Sequence, residues 1–211
     1  MTNLHTVILI GPHGAGKTTL GTRLAAALSW RFDQELGDEL RRKALEADPS
    51  AHAQQPQPDF DRQVLQAELT RDARVFDCGP RVVETWHLGN LAYAQLRSPA
   101  VAAEMAPRIE AAIRRAAEQG LLVQPLQISE ATLQARQSEP GPPEIARFFL
   151  NVAEQAERLA VKLGLTVAPP LWTDELSPEH ALVRLRASRS FIQVPIKYSG
   201  LSELDGPAGP L

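Results

Sequence analysis

Val7-Ile8-Leu9-Ile10 is an unbroken apolar run near the start of the chain, and its lack of polar alternation predicts a strand buried on both faces. Residues 18–28 change to a helical period, with Leu20, Leu24, Ala25 and Leu28 on one side. Residues 33–46 read as a second helix, Leu36, Leu40 and Leu45 set against a charged remainder. Pro49, Pro56 and Pro58 break the pattern, so 48–59 is expected to be a surface loop. Helical spacing returns at 60–71, Val82-Val83 marks a central strand, and 88–96 and 100–119 are two further helices, the second stopped by Gly120. Residues 121–128 form the next predicted strand and 132–136 a short helical turn. Glu139-Pro140-Gly141-Pro142-Pro143 then interrupts any helix. Residues 144–163 restore a long helix burying Ile145, Phe148, Phe149, Val152, Ala156 and Leu159, and 165–168 is a last short strand. Ser177-Pro178-Glu179 has the cap and first-turn proline of a terminal helix running to about residue 188.

Strands alternating with helices imply an α/β fold: a three-layer parallel sheet with helices on both faces, right-handed crossovers, and ligands beyond the carboxyl ends of the strands. The expected organisation is one domain over 1–190, with a lid excursion at about 136–147 and a loosely held tail over 191–211.

Chemistry enters directly after the first strand. Residues 11–18 read G-P-H-G-A-G-K-T, the G-x-x-x-x-G-K-T spacing of a loop whose backbone N–H groups wrap phosphates. Gly11, His13, Gly14, Ala15, Gly16, Lys17, Thr18 and Thr19 are therefore the expected triphosphate cradle. Lys17 supplies a mobile cation for the β and γ oxygens, Thr18 a Mg²⁺ ligand, and the following helix its positive end. ATP and Mg²⁺ are the cofactors this predicts.

The chain has 211 residues, 44% of them apolar, enough for one substantial core. A net charge of −3 gives no global field for a nucleic-acid polymer or an anionic membrane surface. Cys78 is the only cysteine, which excludes an intramolecular disulfide and a multi-cysteine zinc site; it is expected to be a packed, inert thiol. With neither a secretory leader nor a run of 18 apolar residues, the reading is of a soluble cytoplasmic protein.

The order of elements and several short motifs resemble the thymidylate kinase and deoxynucleoside kinase group of P-loop phosphotransferases over nearly the whole chain. Val82-Val83-Glu84-Thr85-Trp86 followed by Ala92-Tyr93-Ala94 is similar to the D-R-Y and A-Y-Q signals of thymidylate kinases, and deoxynucleoside kinases carry E-R-S at the first of these. Leu126-Gln127-Ile128-Ser129-Glu130 through Arg136 looks like the L-D-V-D-P stretch ending in the lid arginine, and Leu36-Gly37-Asp38-Glu39-Leu40-Arg41 like L-G-x-x-I-R. The departures concern the acceptor: Thr85 replaces the strand-end arginine, His13 the acidic loop residue, Ile10 a glutamate, and Gln127 and Ser129 two aspartates. The R-E-P-G segment is absent. The resemblance implies a P-loop nucleoside or nucleotide kinase-like fold and phosphoryl transfer.

That reaction asks mainly for position and charge compensation. Arg136 and Arg147 border the proline excursion and are the candidates for a lid arginine; on plain helix faces both are surface residues instead. Glu84, at a strand's carboxyl end, is either a general base for a hydroxyl acceptor or a metal-side carboxylate for Mg²⁺, and a structural pairing with Arg81 is the third possibility. A phosphate acceptor is already ionised and needs cations, so loss of the arginine at 85 favours a hydroxyl. Trp86, His87, Asn90 and Tyr93 are candidate acceptor-pocket residues on one helix, with a core or capping role the alternative for each; Arg41 faces the acceptor if the resemblance carries over. The function predicted is ATP-dependent transfer of the γ-phosphate to a small acceptor such as a nucleoside, nucleotide or similar metabolite. A nucleotide-binding switch or accessory ATPase acting through a protein partner is the alternative, and a homodimer is left open.

Overall fold

The computed structural model describes residues 4–47, 56–75, 78–136 and 142–187. Most of the 48–59 loop, the centre of the proline excursion and the 191–211 tail lie outside these residues.

β1 (Thr6–Ile10) is wholly buried, and the period of two along it decides the layers. Ile8 and Ile10 join Val83 and Val123 in one core, while Val7 and Leu9 join Val82 and Leu122 in another. The first core is closed by α3 (Pro58–Val75), α4 (Trp86–Arg97), α5 (Pro99–Glu118) and α7 (Pro143–Lys162). On the other side lie α1 (Lys17–Leu28), α6 (Glu130–Ala135) and α8 (Pro178–Ala187). Helices thus cover both faces of a parallel sheet, as the alternating pattern predicts.

Strand order is β2 (Arg31–Asp33), β3 (Arg81–Glu84), β1, β4 (Leu121–Gln127), β5 (Thr166–Val167), with β6 (Leu171–Trp172) on the far end of β4; every pairing is parallel. β5 pairs with Leu122 and Val123, and β6 with Leu126 and Gln127. Pro125, which has no N–H for a ladder, sits where one partner strand gives way to the other. In the β1–β3 register Leu9 lies opposite Glu84, so the glycine loop leaves β1 beside that carboxylate.

The sequence pattern misses β2 and β6. β2 is three residues long and carries two charges: Arg31 Nε donates to Asp33 at 2.7 Å, and buried Arg81 reaches the same carboxylate at 3.2 Å. Its ladder with β3, the packing of Phe32 on the second core and these ion pairs hold the strand without an apolar run. Because 31–33 is strand, α2 begins at Leu36 (Leu36–Ala47) and not at 33. Cys78 is exposed, contrary to the packed thiol expected.

Candidate functional site

The phosphate loop depends on glycine where the backbone leaves the space open to L side chains. Gly11 has φ 151°, and a Cβ there would stand 2.6 Å from the Leu126 carbonyl oxygen. Gly16, at φ 88°, turns the chain into α1. The Lys17 ammonium is buried and donates to the carbonyls of Gly11 and Pro12, both at 3.1 Å, so it lies within the loop it is expected to serve.

Two carboxylates converge on this loop. Thr18 Oγ1 donates to both oxygens of Glu84, at 3.0 and 2.9 Å. Burial pushes the Glu84 carboxyl up to about 7 against the pull of Lys17, with Glu35 adding to the rise. Glu35, two residues past β2, receives the Thr85 hydroxyl on Oε2 at 2.6 Å. Burial raises its pKa too, again opposed by Lys17. Thr85 holds this contact from a backbone L residues rarely adopt (φ 63°), continued at Trp86 (φ 47°). A Cβ at residue 89 would come 2.4 Å from Thr85 Cγ2, so Gly89 is what lets the strained threonine pack onto α4. Arg81 pairs with Asp33 and Asp72 instead of Glu84.

A cavity of 530 Å³ opens between α2, α3, α4 and α7. Glu35 and His13 line it where it meets the phosphate loop; Gly37, Asp38 and Arg41 form one wall and Asn90 and Tyr93 another. Its third side holds Phe60 and a buried ion pair in which Arg97 Nε donates to both Asp61 oxygens, at 2.8 and 3.0 Å, while the guanidinium lies 5.3 and 5.2 Å from the Phe60 and Tyr93 ring centroids. Phe149 lines the cavity too and stacks on His13, centroids 5.4 Å apart. A second cavity of 270 Å³ lies across the loop, between Gly14, Ala15, Gly16, Thr19 and residues at the start of α8. Arg136 closes it, donating to the carbonyls of Gly14 at 3.3 Å and Thr173 at 2.7 Å.

Arg41, Asn90, Tyr93 and His13 therefore share one cavity, and Arg136 stands at the loop. Trp86 and His87 do not reach either cavity. The left-handed turn at 85–86 directs both into the core, where the indole N–H donates to Asp72 at 3.1 Å and His87 Nε2 lies 2.8 Å from the same carboxylate. Burial lowers the His87 pKa against the pull of Asp72, and burial likewise acts to raise the Asp72 carboxyl, which its contacts with His87 and Arg81 nonetheless hold down at about 2. Arg147 points outward, 3.5 Å from Glu130, and lines neither cavity. Ser129, at an aspartate position of the resemblance, caps α6 by accepting from the Thr132 N–H. Glu35 was missed in the sequence because no apolar pattern marks a three-residue strand.

Behind Asn90 lies Glu68, fully buried, accepting from Arg71 at 2.5 Å and from the Asn90 amide at 3.3 Å. Burial pushes its carboxyl up to about 7. The folded state therefore holds a proton that the unfolded chain has released, and stability present below pH 4.5 is lost as pH rises through 7. For a shift of this size the loss is at most about 3 kcal/mol. Urea midpoints at pH 5 and 7.5 should differ less in Glu68→Gln than in the parent; an equal difference would place this titration elsewhere.

A G-x-x-x-x-G-K-T loop between a central parallel strand and a helix, with a carboxylate ending the adjacent strand, defines a P-loop nucleotide-binding protein of kinase-like fold. The chain belongs to the AAA domain family, whose model matches residues 6–164. Its fold is similar to that of NadR in complex with NR (TM-score 0.59, 18% identity), covering 94% of this chain and 54% of that one, so the chain spans about half of NadR. It is also similar to deoxyadenosine kinase from M. mycoides with bound dCTP (TM-score 0.56, 12% identity, 85% and 96% covered). A gluconokinase from Sinorhizobium meliloti 1021 is a third match (TM-score 0.52, 19% identity, 88% and 95% covered). No curated protein matches the chain. Among the described residues no helix is long and apolar enough to cross a membrane.

Proposed function

We propose that the protein is an ATP-dependent phosphotransferase that moves the γ-phosphate onto a hydroxyl of a small, nucleoside-like acceptor. The observation that carries this reading is the position of Glu35: its carboxylate lines the 530 Å³ cavity at the end that meets the phosphate loop. The kinase names among the similar folds support a small-molecule acceptor.

Aromatic walls at Phe60, Tyr93 and Phe149 suit a planar ring, with few polar groups to orient it. Arg97 is bidentate on Asp61, and Thr85 stands where the resemblance has an arginine; Arg41 and Arg42 remain as cations of the cavity wall, and the reading of an acceptor without its own phosphate rests on the first two features. Donor phosphates belong in the loop, with Lys17 on the terminal oxygens and the nucleoside part toward Arg136 and the 270 Å³ cavity.

The residues fit Mg²⁺. Thr18 Oγ1 and the buried Glu84 carboxylate are adjacent hard oxygen donors, and Mg²⁺ commonly uses one or two protein oxygens with phosphate and water. When bound there, the ion would neutralise charge on the phosphates. Glu35 then accepts the proton of the acceptor hydroxyl as its oxygen bonds to the γ-phosphorus. The bond from that phosphorus to the β–γ bridging oxygen breaks, ADP leaves with the electron pair, and the proton passes from Glu35 to solvent. Lys17 compensates charge on the peripheral oxygens.

Purified protein incubated with Mg²⁺, γ-labelled ATP and a panel of nucleosides, nucleoside monophosphates and sugars is expected to label at least one nucleoside and to leave the monophosphates unlabelled. Hydrolysis that no panel member stimulates would replace transfer with the switch or accessory ATPase reading.

A further inference from the structure

We infer that Asn90, its amide fixed by the buried Glu68 carboxylate, selects acceptors that carry a second sugar hydroxyl beside the one phosphorylated. The inference rests on the kinase reading above and adds a substrate requirement to it. Glu68 has no exposure, and Asn90 Nδ2 donates to it at 3.3 Å from a side chain that is itself buried. Arg71, held at 2.5 Å on the other Glu68 oxygen, keeps that carboxylate in place. With its N–H turned inward, the amide offers the cavity its carbonyl oxygen, which accepts and cannot donate.

Gly37 locates that oxygen. A Cβ built on Gly37 would stand 3.1 Å from Glu35 Oε1 and 3.9 Å from Asn90 Oδ1. All three residues line the same cavity, so the proton-accepting carboxylate and the amide oxygen face one small space, which the missing side chain at 37 leaves open. A hydroxyl delivering its proton to Glu35 brings its neighbours on the sugar toward Asn90. The planar part of the acceptor extends the other way, to Phe60, Tyr93 and Arg97. A second hydroxyl donates to Oδ1 once the bound acceptor shuts that oxygen off from water, and an analogue lacking it leaves the oxygen unpaired, worth roughly 10- to 100-fold in kcat/KM.

The test compares adenosine and cytidine with their 2′-deoxy and 3′-deoxy forms at pH 8, where Glu68 is ionised. The parent should lose roughly 10- to 100-fold in kcat/KM with at least one deoxy series. Asn90→Leu should bring the hydroxy and deoxy substrates within about threefold by lowering the former. Gly37→Ala, on the opposite wall, puts a methyl group into the shared space and should give the same convergence, so the inference stays testable if Asn90→Leu fails to fold. A parent that phosphorylates both forms equally, or variants that keep the parent's ratio, would overturn the inference while leaving the kinase reading standing. A parent that binds ATP and phosphorylates no nucleoside removes both.

Discussion

Lys17→Ala should lower phosphoryl transfer on the order of a thousandfold, weaken ATP binding and leave the melting temperature nearly unchanged. The fold is spared because the ammonium donates its hydrogen bonds only to the carbonyls of Gly11 and Pro12, within its own loop. Chemistry is lost because no other lysine or arginine donates from within the loop among the described residues; Arg136 reaches it only at the Gly14 carbonyl. A second consequence follows from charge. Lys17 lowers the pKa of both Glu35 and Glu84, so its removal lets burial drive them higher and shifts any residual activity toward alkaline pH. Radiometric transfer assays with calorimetric ATP titration provide the measurement. Retention of more than about a tenth of the parent turnover would remove Lys17 from the donor site.

How much of this site could be read in advance depends on whether its parts are local. The phosphate loop was legible because a strand, the eight-residue motif and a helix adjoin in sequence, and each glycine has a backbone reason to be there. Glu84 was legible because Val82-Val83 marks its strand. Glu35 was not: β2 is short and charged, and the hydroxyl that holds Glu35 comes from Thr85, fifty residues later. Trp86 and His87 failed for a related reason. Helical spacing from 86 onward puts Trp86 on a face with Asn90 and Tyr93, yet two non-glycine residues with positive φ start α4 by turning Trp86 onto Asp72. Arg147 has the right place in the sequence for a lid, but its position on α7 brings it to Glu130. Nothing in local pattern announces these outcomes, since each depends on which distant carboxylate the fold brings near.

Glu35→Gln should cost on the order of a hundred- to ten-thousandfold in kcat while ATP affinity stays within a few-fold, because the amide keeps the size of the side chain and cannot accept the proton. Burial raises the Glu35 pKa above the usual 4.5, so the parent's kcat should climb with pH along a limb displaced upward from that value. The Thr85 hydroxyl, 2.6 Å from Oε2, stabilises the ionised form. Thr85→Val should therefore move the limb further upward, and Thr85→Ser should restore it. Glu84→Gln provides the contrast: Glu84 sits against Thr18 and lines no wall of the acceptor cavity, so its loss should show first as a higher Mg²⁺ requirement. If Glu35→Gln kept the parent's kcat and its ascending limb while Glu84→Gln lost both, the proton would pass to Glu84, and Glu35 would be left as a cavity wall whose carboxylate merely anchors the turn at Thr85.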